Sequence, residues 1–238
     1  MSNSYRPDID GLRAVAVSGV ILFHAPAPGF GGGFVGVDIF FVISGFLISG
    51  IILREMGEGR FLFADFYKRR VRRILPVLLF VLSSTAFLAW QVLLPDDFVQ
   101  FGENLFATLL MVPNIAAWRI SKDYFAPTVV SNPQLHLWSL GVEEQFYFFF
   151  PLLLVFFVKK FSPRTCWVMF CGGFIALSLS FAFWAVLNRP GFAFYWLPAR
   201  AWEFFLVSVW PIIMKENHKP QTTNHLSGMN FWACLHCC

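Results

Sequence analysis

The chain has 238 residues, 57% of them hydrophobic and 13% charged, with 31 Phe and 9 Trp, and a mean hydropathy of +0.62. Soluble domains carry about 25% charged residues, so half the charge that a solvated surface needs is missing. That excludes a water-soluble globule, the abundance of aromatics excludes a disordered chain, and 5 clustered Cys are too few for a disulfide scaffold. The net charge of +4 does not point to nucleic acid, because so little solvated surface remains to meet it.

A membrane span needs about 20 mostly apolar residues. In chain order the candidates are residues 10–25, which carry Arg13 and His24, then 34–53, interrupted only by Asp38, and 74–94, which holds no charge. Residues 100–118 are weaker, with Glu103 and Asn104 inside and Pro113 near the end. Residues 143–158, 165–187 and 196–214 follow, the last with Arg200 and Glu203 near its start. The expected fold is an all-α, polytopic transmembrane helix bundle of about six or seven spans. The alternation over about ten residues that marks a membrane barrel strand is absent, and no internal repeat appears.

Lys68, Arg69, Arg70, Arg72 and Arg73 lie close to Arg54 and Arg60. Beside an apolar run, such a cluster reads as a cytoplasmic loop under the positive-inside rule, which also puts the N-terminus in the cytoplasm. Continuing the alternation produces a conflict. If residues 100–118 cross, Lys159, Lys160 and Arg164 fall outside; if they do not, these fall inside. The N-terminal stretch is read as a span rather than a cleaved signal peptide, because its flanking charges are mixed and its run holds a histidine. Residues 1–214 form the expected membrane domain, and residues 215–238 an unpatterned polar tail. Cys234, His236, Cys237 and Cys238 in that tail lack the spacing of a zinc site, so no metal is expected.

Arg13 and His24 are eleven residues apart. At about 100° per residue they share one helix face, roughly 16 Å apart along its axis. Ionisable groups inside a span normally face a bundle interior or an aqueous cavity; the alternative for His24 is an interfacial histidine satisfied by water or a carbonyl. Asp38 enters the next helix about one turn after the glycine-rich hairpin. It is expected at the depth of His24, where it either orients the imidazole or hydrogen-bonds the hairpin. Arg69 with Arg72, and Arg70 with Arg73, are spaced i, i+3, which suits either a bidentate phosphate clamp or an anchor for anionic lipid. Glu143 and Glu144 lie at a helix entrance about 100° apart, so at most one is expected to meet the interior; a border carboxylate is a functional candidate, and a favourable charge at a helix N-terminus is an equal explanation.

Taken together, YRPDIDGLRAVAV, the Arg-x10-His pair, GGGFVGVDIFFVISGFLI, FYKRRVRRILP and LHLWSLGVEEQFYFFFP occur in one order over residues 5 to 151. With FYWLPARAWEFFLVS further on, the chain resembles the acyltransferase 3 family, bacterial multi-pass membrane O-acyltransferases that acetylate surface polysaccharides. The resemblance covers about residues 5 to 210. It implies a transferase that moves an acyl group, most often acetyl, from cytoplasmic acyl-coenzyme A to a hydroxyl of a surface or lipid-linked saccharide such as lipopolysaccharide, in the inner membrane. Acetyl-coenzyme A is then the donor. Arg13 and His24 match the family's essential pair, its Arg-x-x-Arg motif falls on Arg69 and Arg72 or on Arg70 and Arg73, and Glu143 or Glu144 matches its acidic position. Arg200, Trp202 and Glu203 match a later motif, and His136, Trp138, Arg200 and Glu203 are expected around the acceptor.

His24 is expected as general base with Asp38 orienting it; a covalent acyl-histidine is the rival route. Family members typically continue through about ten helices, whereas here the pattern stops after about the seventh, which reads as a C-terminally shortened chain. Two competing readings remain: a saccharide or solute transporter, since charged residues in spans also line solute pathways, and an inactive remnant of the enzyme.

Overall fold

The computed structural model describes residues 6–25, 27–120, 134–160 and 163–208. Among them there are helices and turns and no strand, so the protein is an all-α membrane helix bundle.

Helix α1 (Pro7–His24) opens on a proline, whose missing N–H is harmless at that position, with Asp8 and Asp10 in its first turn. A 3-10 turn at Gly33–Val35 leads into α2 (Gly36–Gly57). The two helices touch backbone to backbone. A Cβ on Gly33 would lie 2.2 Å from the Gly19 carbonyl oxygen, and one on Gly36 would lie 2.4 Å from that of Ala16, so α1 and α2 form a tight antiparallel pair.

Helix α3 (Phe63–Val92) has 30 residues, about 45 Å. It begins well before the apolar run at 74, so Lys68 to Arg73 lie on its first turns, where the i, i+3 spacing puts Arg69 with Arg72 and Arg70 with Arg73 on common faces. Residues 100–118 are not one element. Helix α4 (Pro95–Leu109) and helix α5 (Pro113–Ile120) are separated by Leu110–Val112, where Met111 adopts φ 59°. Pro113 disfavours helical backbone at Val112, and with Met111 in the left-handed region the helix ends here and a new one starts at the proline. At about 22 Å and 12 Å, neither piece spans a bilayer.

Helix α6 (Trp138–Lys160) runs alongside α2 in the same direction. Phe41 meets Trp138 and Ser44 meets Glu143. It runs against α3, where Tyr67 reaches Phe148 and Arg70 reaches Glu144. The chain therefore makes no net crossing between α3 and α6. That resolves the sequence conflict: the end of α6 bearing Lys159 and Lys160 is on the side of Arg54 and Arg60. Helix α7 (Pro163–Asn188), the short α8 (Pro190–Tyr195) and α9 (Leu197–Leu206) complete the described chain. Helix α9 lies parallel to α2, with Arg200 against Asp38 and Phe204 against Gly45.

The core is aromatic. Phe146 stacks on Phe204 at 4.2 Å and on Phe150 at 4.7 Å, and Phe41 stacks on Phe204 at 4.7 Å. Four helices are long and apolar enough to cross a membrane: Gly33–Gly57, Phe63–Val92, Leu135–Phe157 and Met169–Asn188. The expected six or seven spans are thus not reached among the described residues. Helix α1 carries Asp8, Asp10 and Arg13, residues 100–118 divide, and residues 209–214 of the last candidate lie outside the described residues. So do the tail from 215 to 238 and its cysteines.

Candidate functional site

Because α1 is continuous, Arg13 and His24 keep their spacing on one face. Arg13 is half-buried, with its Nε enclosed and given no hydrogen-bond partner. His24 is exposed in the last turn, its Nδ1 2.8 Å from the Val20 carbonyl oxygen. A carbonyl only accepts, so Nδ1 is the donor, and the neutral ring carries its lone pair on Nε2.

The expected partnership of Asp38 with His24 gives way to another. Gly36 abuts Ala16, and from that level Asp38 lies two residues one way and His24 eight the other, a difference of roughly 15 Å along the axes. Asp38 accepts instead from Arg200 Nη1 at 2.5 Å. The same nitrogen reaches Glu203 at 3.0 Å, and Arg200 Nε donates to the Phe194 carbonyl at 2.7 Å. The guanidinium also lies 4.8 Å from the Phe194 ring and 5.3 Å from that of Trp138. Two carboxyl groups thus share one cation in an aromatic collar. The second oxygen of the buried Glu203, Oε2, has no partner. Trp138 is buried and His136 is exposed on the 3-10 turn just before it.

A second polar cluster lies deeper, where α2, α3 and α6 meet. Glu143 accepts short hydrogen bonds from Ser44 and Tyr147 on the same oxygen. Glu144 accepts from Arg70 at 3.2 Å, and the Arg70 guanidinium carbon lies 3.4 Å from the centre of the Tyr147 ring. Both glutamates therefore turn into protein, against the expectation of at most one. Helix α6 is covered on two sides, by α2 toward Glu143 and by α3 toward Glu144, and the angle between the two residues fits that pair of neighbours.

Of the four arginines proposed as a phosphate clamp, Arg70 is the one turned inward. Arg69 is held by Glu55 at 2.7 and 2.8 Å and is half exposed, while Arg72 and Arg73 are exposed. Exposed Arg73 stands one turn beyond Arg70 on α3.

Sequence reasoning missed Ser44, Tyr147 and Ser178. Tyr147 follows Glu143 by four residues, a spacing at which helical side chains meet, so that pair was readable. Ser178 gave no signal. Its hydroxyl donates to the Pro198 carbonyl at 2.7 Å and accepts from the Trp202 N–H at 2.9 Å, bridging two backbone groups that α9 would otherwise pair. It thereby fixes the turn of helix that presents Arg200. Close by, Asn114 and Gln145 exchange amide hydrogen bonds of 2.8 and 3.4 Å, and Asn114 also donates to the Tyr195 carbonyl at 3.1 Å. These bonds join α5, α6 and α8 without charge.

The profile of the acyltransferase 3 family, described as an acyltransferase domain, matches residues 6–222. The chain is 40% identical over 167 residues to O-acetyltransferase OatA of Staphylococcus aureus strain NCTC 8325 / PS 47, covering 69% of this chain and 27% of that protein. It is 38% identical over 185 residues, 76% of this chain and 28% of the other, to a Staphylococcus aureus MSSA476 protein named provisionally as O-acetyltransferase SAS0844. The chain thus spans about a quarter of the length of the curated relatives it matches. No solved structure matches. With the profile running through both polar clusters and the Arg13 and His24 helix, the chain belongs to the acyltransferase 3 family.

Proposed function

We propose that the protein transfers an acetyl group from acetyl-coenzyme A, bound on the cytoplasmic side of a bacterial inner membrane, to a hydroxyl of a cell-surface or lipid-linked saccharide. The observation that carries this reading is the distribution of polar groups along the bundle. A guanidinium suited to phosphate lies toward the basic side at Arg70, and an imidazole with its lone pair on Nε2 lies at the other end. Counting from the level where Gly36 abuts Ala16, His24 lies eight residues one way on α1 and Ser44, which shares the Arg70 cluster, eight the other way on α2, so the two levels are roughly 24 Å apart. In this reading an extended acyl donor anchored by its phosphates near Arg70 reaches along the bundle toward the acceptor side.

In this reading, Arg70 and Arg73 hold donor phosphates while membrane lipids surround the long helices. The acceptor lies among His24, Arg13, His136 and the Trp138, Arg200 and Glu203 collar. His24 Nε2 takes the hydroxyl proton as the saccharide oxygen attacks the thioester carbonyl. The carbon–sulfur bond then breaks, and the proton passes to the leaving coenzyme A thiolate. The products are the acetyl ester and free coenzyme A. Asp38 acts on Arg200, holding the collar rather than the base.

The test is reconstitution in proteoliposomes with labelled acetyl-coenzyme A on the basic side and a saccharide acceptor on the other. The expected result is label on the saccharide, lost in His24→Ala. Wild-type protein that transfers no label, or that moves saccharide across the bilayer unlabelled, overturns the reading. Label trapped on His24 without acceptor would replace general-base chemistry with a covalent route.

A further inference from the structure

Tyr147 belongs to none of the roles assigned so far, yet it lies at the centre of the deeper cluster. Its hydroxyl is tied to Glu143, which Ser44 of α2 holds from the other side. Its ring face carries the Arg70 guanidinium at 3.4 Å, and Arg70 extends one nitrogen to Glu144. Tyr147 is 4% exposed, so the ring has little freedom of its own. A guanidinium in van der Waals contact with an aromatic face, away from water, is held in plane by the ring quadrupole. A single carboxylate contact at 3.2 Å leaves its tilt undetermined. The ring therefore sets the direction in which the remaining guanidinium N–H groups point, and the Ser44–Glu143–Tyr147 chain sets the ring.

We infer that Tyr147 is a positioning residue for the donor site: its ring, locked through Glu143 to Ser44, aims Arg70 at the anionic part of the acyl donor. This rests on the reading that Arg70 binds that donor. It predicts an ordered set of effects. Removing the ring costs most, removing the hydroxyl costs less, and loosening Glu143 from the far side has a similar small effect.

The experiment measures equilibrium binding of coenzyme A to the full chain in proteoliposomes, together with donor and acceptor KM and kcat for acetyl transfer. Tyr147→Leu is expected to weaken coenzyme A binding and raise donor KM by about 30-fold, equivalent to about 2 kcal/mol. Acceptor KM and kcat should stay within a factor of about two of wild type. Tyr147→Phe, which keeps the ring, is expected to recover most of the loss, and Ser44→Ala to resemble Tyr147→Phe. Equal binding by Tyr147→Leu and wild type overturns the proposal, as does a Phe variant as impaired as the Leu variant. A fall in kcat with donor KM unchanged also overturns it. If Tyr147→Leu does not fold, the Phe and Ser44→Ala variants decide: unchanged donor KM in both counts against it. Wild-type protein that binds no coenzyme A defeats the donor reading itself, which separates the two failures.

Discussion

Gly45 is where α2 and α9 come closest, and replacing it by alanine is the sharpest perturbation of the architecture. The added Cβ would lie 2.0 Å from the Phe204 carbonyl oxygen, 2.7 Å from its carbonyl carbon and 2.8 Å from its Cα. All three are backbone atoms, so no rotamer change relieves the clash. Carbon and oxygen approach to about 3.3 Å at closest, and the helices must part by roughly 1.3 Å. A gap of about 0.5 to 1 Å already forfeits a quarter to a half of the dispersion attraction across a contact. The contacts at stake include Phe204 on Phe41 and on Phe146. Overpacking of this kind costs about 1 to 3 kcal/mol, and a backbone obstacle places Gly45→Ala near the top, at about 3 kcal/mol. For a chain of this size that corresponds to a fall in melting temperature of roughly 6 to 12 °C, measured by tryptophan fluorescence in detergent. Acetyl transfer should fall with it, because the same displacement draws Arg200 away from Asp38. Gly102→Ala is the control, since a Cβ there meets nothing within 4 Å, and alanine gains up to about 1 kcal/mol in helix propensity. If Gly45→Ala melts with wild type, the close approach of α2 and α9 is not what holds Arg200 against Asp38.

Other expectations follow from single contacts. His24→Ala should lower kcat by about 10² to 10⁴ with little change in melting temperature, because the side chain is exposed; an unfolded variant would remove the base assignment. Arg200→Met strands Asp38 and Glu203 without their cation and should cost about 3 kcal/mol or more. Adding Asp38→Asn should recover part of that in a double-mutant cycle; strictly additive losses would show that the two residues act independently. Ser178→Ala removes a donor to Pro198 and an acceptor from Trp202, a loss of about 1 to 3 kcal/mol. It should raise hydrogen exchange at the Trp202 amide, and unchanged exchange there would mean α9 closes its own ladder.

The parts of the fold legible in the sequence were those written in contiguous residues. The uncharged run at 74–94 lies in α3 up to Val92 and that at 165–187 in α7, because a long apolar stretch has few alternatives in a bilayer. The break at Met111 was harder to see. Pro113 was visible, but a proline near a helix end is compatible with continuation until the left-handed residue before it is known. Site residues divide in the same way. Arg13 and His24 share a helix, so their spacing alone placed them on one face. Asp38 and Arg200 are 162 positions apart, and no local pattern pairs them, whereas the hairpin that Asp38 and His24 both flank makes those two look like neighbours. Glu143 and Glu144 were judged against a single interior, whereas α6 has a neighbour on each flank.

The long sequence separation of the ion pairs bears on biosynthesis. Asp38 leaves the ribosome 162 residues ahead of Arg200, and Arg70 precedes Glu144 by 74. At about 5 to 20 residues per second, Asp38 waits roughly 8 to 30 s for its counter-ion. During that interval α2 carries Asp38 without the guanidinium that faces it in the folded bundle, a polar group that lipid penalises. Pairing within this part of the bundle therefore waits on α9 and is not complete when α2 is inserted.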